Sequence, residues 1–136
     1  MTRSRLTISV DQPNRILTVR YIGAIDGDGV NDSMMTQLSE LERPWEYDAI
    51  IDMRRHDGLI VASEIEELGL RWALMAKGRD EGRLTAIVSD DPLVNARLSM
   101  TQAVFPHRVM ACFARLEEGI AWIETHRGDV RYAAAI

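Results

Sequence analysis

Residues 47–58, Tyr-Asp-Ala-Ile-Ile-Asp-Met-Arg-Arg-His-Asp-Gly, mark where the chain changes character. Most of their centre, 49–53, is apolar without strict alternation, and the run is too short for a helix, so it reads as a strand covered on both faces. Two further runs of this kind follow at 84–88 and 109–113. Between the first two, Ser63 with Glu66 three residues on reads as a capping box that opens a helix carrying Ile65, Leu68, Trp72 and Met75 inward. Between the last two, Asp91 followed by Pro92 is a helix start, the carboxylate capping and the proline suiting the first turn. Strands that alternate with helices make a layered α/β domain.

Upstream the pattern differs. Leu6, Ile8 and Val10 alternate with polar residues, the Gln12-Pro13-Asn14 turn follows, and Leu17, Val19 and Tyr21 then share one side of a second strand, which predicts an antiparallel hairpin. Past the Asp26 to Gly29 punctuation, Val30, Met34, Leu38 and Leu41 recur at helical spacing until Pro44 must end the helix. Downstream, Leu116, Ile120 and Ile123 line a final helix expected to stop at Gly128. The predicted order is ββαβαβαβα around a mixed sheet, one domain over 1–136, with 128–136 a flexible tail or a segment that packs on a neighbouring subunit.

Composition agrees with a folded domain. The 136 residues are 46% hydrophobic and 27% charged, with a net charge of -5 that disfavours a nucleic-acid partner. No run approaches the roughly 18 apolar residues of a membrane span, and no secretory leader is legible, so a cytoplasmic location is expected. The single cysteine, Cys112, reads as a small core hydrophobe.

The element order, the strand 47–52, the turn Ser89-Asp90-Asp91-Pro92-Leu93 and the ending 113–123 with Trp122 in it resemble the SpoIIAA-like family, within the wider group of STAS (anti-sigma-factor antagonist) and SEC14-like domains. The resemblance spans residues 16–123 and implies one of two roles. STAS antagonists carry a phosphorylatable serine after the third strand, typically just after an aspartate; here 52–58 has neither serine nor threonine, and the next hydroxyl, Ser63, is read as a cap. The resemblance on that side implies a regulatory protein-interaction module lacking the phospho-switch, with a partner protein or a second copy in a homodimer. The SEC14-like side implies enclosure of an apolar, lipid-like ligand with an anionic head group.

Several residues are candidates for these roles. Arg54, Arg55 and His56 form the one local basic cluster, at the strand edge where α/β sheets bind ligands and beside the amino end of the helix near Ser63, so together these four form a candidate anion site. The plainer alternative pairs the arginines with Glu64, Glu66 or Asp57. Met34, Met35, Trp72, Leu74 and Met75 are candidates for an apolar pocket or an interface, against ordinary core packing. Leu70 and Leu74 lie on the helix face opposite Ile65 and Trp72, which leaves that face in need of a cover. Asp52, Asp90 and Asp91 all fall at carboxyl ends of strands, where three carboxylates could hold a magnesium ion, but capping and turn roles explain them as well. No cofactor motif, zinc spacing or nucleophile elbow is present, and no acid, base and nucleophile set can be assembled, so an enzyme is not expected.

Overall fold

A computed structural model describes residues 5–25, 27–58 and 60–135, with the backbone alone for 27, 28 and 128–135; Asp26 of the first punctuation and Ile136 of the tail lie outside the described residues. Five strands form one sheet in the order β1-β2-β3-β4-β5. β1 (Arg5–Asp11) and β2 (Ile16–Gly23) are the expected antiparallel hairpin, and β3 (Asp48–His56), β4 (Leu84–Val88) and β5 (Val109–Phe113) add to it in parallel. Asp11 holds the hairpin turn by accepting from the Asn14 amide groups, while Arg15 takes up the left-handed conformation that closes it.

Each parallel strand lies directly beside its predecessor, so every crossover runs in the same direction along the sheet. Because such crossovers are right-handed, α1 (Gly27–Ser39), α2 (Ala62–Ala76), α3 (Pro92–Ala96) and α4 (Leu98–Val104) must all lie on one face. α1 packs on α2 and α2 on α4, leaving the other face to α5 (Leu116–Ala135), which crosses β4. Two cores result. Leu17, Val19 and Tyr21 meet α1 and α2 on the first face, and Ile50, Leu84, Ala86 and Val88 meet Ile123 on the second. Cβ atoms on Gly69 and Gly119 are missing where helices come closest to their neighbours: at Gly69 one would lie 2.6 Å from the Val104 carbonyl oxygen, and at Gly119 one would lie 3.2 Å from the Ala86 Cβ.

Three expectations are corrected. The helix between β4 and β5 is two helices, broken at Arg97, whose ψ near zero does not continue the first. α2 starts at Ala62 with Val61 as its N-cap, and Ser63 lies inside the first turn; the start is marked by Glu64, whose carboxylate accepts from the Val61 amide at 3.2 Å, the half of a capping box that needs no acceptor on the valine side chain. α5 continues through Gly128 to Ala135, because one interior glycine costs only about 1 kcal/mol and the residues after it include a run of alanines, the best helix former.

The outer strands are finished by helix side chains. On β1 the Gln37 carboxamide accepts from the Ile8 amide and donates to the Leu6 carbonyl; on β5 Gln102 accepts from the Met110 amide and donates to the Arg108 carbonyl. One feature of the ladder matters for the site. Arg20 pairs with Asp52 but Ile22 pairs with Arg55, so β3 carries one extra residue there, a bulge.

Candidate functional site

Strand alternation places Ala49, Ile51 and Met53 on the α1/α2 face of β3 and Ile50 and Asp52 on the α5 face. Continued without interruption, it would send His56 to the α5 face. The bulge shifts the count by one: Arg55 faces the side of Asp52 and Arg20, and His56 turns beneath the helices, edge-on to the Tyr21 ring at 5.6 Å.

Beneath those helices is a cavity of about 230 Å³. Its floor is β2, β3 and β4, through residues such as Val19, Ile51 and Ile87, and its roof is Met34 and Met35 of α1 with Leu68 and Trp72 of α2. Ile51 and Met53 are only half-buried although β3 is the middle strand, because the helices stand off from it. The exposed residues of the lining are Arg54, Gly58, Asp90 and Asp91, at the carboxyl ends of β3 and β4 or in the loops that follow, and Leu93 in the first turn of α3, so the cavity opens at that edge. The Arg97 guanidinium reaches over from the α3/α4 break to donate to the Ile60 carbonyl at 2.6 Å, tying the two loops together at the rim.

The far end is closed by Arg108, which is buried, donates to Thr85 Oγ1 and to the Tyr47 and Leu84 carbonyls, and has Asp80 3.7 Å away. Burial lowers its pKa, opposed by the carboxylates of Asp80 and Asp48. Asp80 also accepts from the Trp72 indole at 2.7 Å. Burial likewise raises the Tyr21 phenol above its ordinary range. Most polar atoms around the cavity are thus committed. His56 is the exception: its Nε2 is buried and has no hydrogen-bond partner among the described residues.

The sequence candidates separate as follows. Arg54 and His56 line the cavity, as do Met34, Met35 and Trp72; Met75 packs against the core beside them, and Leu74 is 77% exposed. Arg54 is clamped on Asp52, which accepts from its backbone and, bidentately, from its guanidinium at 2.9 Å; Asp52 is the partner in place of the expected Glu64, Glu66 or Asp57. That clamp holds the Asp52 carboxyl below the usual range against the opposing effect of burial, and Arg20 at 3.7 Å adds to it. Arg55 and Ser63 do not line the cavity. Asp52 and the Asp90–Asp91 pair are not brought together: Asp91 caps α3 by accepting from the Leu93 amide, and among the described residues no three His, Cys, Asp or Glu side chains form a metal-binding group. Burial raises the Cys112 thiol, leaving it protonated near neutrality. Asn31, Arg97 and Arg108 line the cavity without having been legible as site residues, since an isolated polar residue in a helix or at a strand's start has no pattern to mark it.

No family model and no curated protein matches the chain. Among solved structures it is similar to an uncharacterised protein of the DUF3478 family with a SpoIIAA-like fold from Shewanella loihica PV-4, at 17% identity and a TM-score of 0.58, over 90% of this chain and 95% of that one. The likeness shows the fold: the mixed sheet and its helices have the SpoIIAA-like architecture that the element order resembles. No helix among the described residues is long and apolar enough to cross a membrane.

Proposed function

We propose that this protein binds a small, mainly apolar molecule between its sheet and α1, α2 and α4, and performs no chemistry on it. The cavity carries the reading. A helix-on-sheet interface that serves folding alone closes to crystal-like density with few voids larger than a water molecule, whereas here about 230 Å³ stays open beneath methionine and tryptophan side chains able to adapt to a guest. That volume falls below the roughly 300–1,000 Å³ of drug-sized sites, so the guest is a single short chain or a small ring system, not a two-tailed lipid. Mass spectrometry of the freshly purified protein, under native conditions and after organic extraction, tests it. A stoichiometric apolar compound released on extraction is expected. A protein without adduct whose melting temperature no apolar probe raises overturns the reading.

A second reading, a STAS-like interaction module without the serine switch, is favoured by Leu70 and Leu74, one turn apart on α2 and 70% and 77% exposed. Replacing both by glutamate abolishes capture of its partner, or dissociates a homodimer, if that reading holds; unchanged capture or association removes it.

A further inference from the structure

We infer that the guest is a monocarboxylate, seated with its apolar part under α1 and its carboxylate at the rim between His56 and Arg97. The inference rests on the small-ligand reading and adds the chemistry of the polar end. A buried nitrogen without a partner costs free energy comparable to a lost hydrogen bond, so it is a group that a ligand can satisfy; His56 lines the cavity, and its Nε2 is such an atom among the described residues. The bulge in β3 is what turns it there, and bulges commonly re-aim side chains beside binding sites.

The sign of the ligand follows from the cations. Three arginines line the cavity. Arg54 is bound by Asp52 and Arg108 faces Asp80, but the Arg97 guanidinium donates to the neutral Ile60 carbonyl and has no carboxylate within 4 Å among the described residues. Arg97 and His56 belong to one edge: His56 ends β3, and Ile60 lies in the loop that follows. Of the aspartates in the loops there, Asp91 is occupied as the cap of α3, and Asp57, Asp90 and Asp91 are all exposed to solvent, which screens them. A carboxylate accepts from both an imidazole N–H and a guanidinium, and charge-assisted bonds of this kind are the strong ones. The chain of the ligand then runs toward Met34, Met35 and Trp72.

The test is calorimetric titration of the whole protein with octanoate and, at equal chain length, 1-octanol. Wild type is expected to bind octanoate at least about tenfold more tightly than 1-octanol. His56→Phe and Arg97→Gln should each weaken octanoate about tenfold or more while leaving 1-octanol unchanged, and Arg55→Gln, outside the cavity, should change neither. If His56→Phe does not fold, Arg97→Gln decides, because glutamine keeps a donor for the Ile60 carbonyl. Equal affinity for both probes, or octanoate binding indifferent to these substitutions, overturns the carboxylate assignment and leaves the cavity reading standing. Binding of neither probe, with no adduct on extraction, overturns the two together.

Discussion

Asp52 and Asp80 show how two carboxylates of one type come to different ends. Asp52 is held ionised by the Arg54 clamp, so its folded pKa lies below the unfolded value of about 3.9. A depressed carboxyl contributes stability above the unfolded pKa and loses it as pH falls through that value toward the folded one. Denaturant unfolding at pH 7 and at successive steps below pH 5 should therefore show an acid loss that is shallower in Arg54→Gln than in wild type; identical slopes would refute the clamp. Arg54 is nearly half exposed, so Arg54→Gln is expected to cost only about 1 kcal/mol at neutral pH. Asp80 is 2% exposed and serves both the Trp72 indole and the charge of Arg108. Asp80→Ala strands a buried cation and an indole N–H together, and the same unfolding measurement should find a loss of about 3–5 kcal/mol. A loss under 1 kcal/mol would mean that Arg108 is compensated elsewhere.

How closely α2 and α4 approach each other is set by what their contact lacks. Gly69→Ala gains about 1 kcal/mol of helix propensity, yet puts a methyl carbon 2.6 Å from the Val104 carbonyl oxygen. The helices must part, so thermal unfolding should show a net destabilisation of about 1–3 kcal/mol; a stabilised variant would place the crossing wrongly. Period-two alternation was enough to read the inward side of β2, and the continuous run at 84–88 was enough to read β4, because burial on one or both faces writes directly into those patterns; the run at 109–113 marked β5 although, as the edge strand, it has no fully buried residue. The bulge left no such mark: Met53, Arg54 and Arg55 look alike with or without it, so His56 could be named as a candidate but not aimed. The break at Arg97 was equally silent, since no proline or glycine stands there. Candidate residues were thus legible where charge clusters locally and illegible where tertiary register assembles them.

At the scale of the molecule, the sheet is covered unequally, with α5 alone among the described elements on one face and a hollow under the several helices of the other. A hollow is stability left unclaimed. Ala49, on the cavity floor at the middle strand, is the place to claim it: Ala49→Leu should raise stability by about 0.5–2 kcal/mol and abolish the uptake of an extractable apolar compound. A destabilised variant would mean that the floor at Ala49 has no room. The two glutamine side chains at the margins of the sheet carry a different consequence. The carboxamides of Gln37 and Gln102 each repeat, group for group, what a peptide of a sixth strand would offer, one to an amide and one to the carbonyl two residues before it. A second molecule arriving to extend the sheet finds its template already copied at both ends, and replacing the pair with alanine should turn a well-behaved solution into one that forms fibrils with rising concentration, seen as growing light scattering and thioflavin fluorescence.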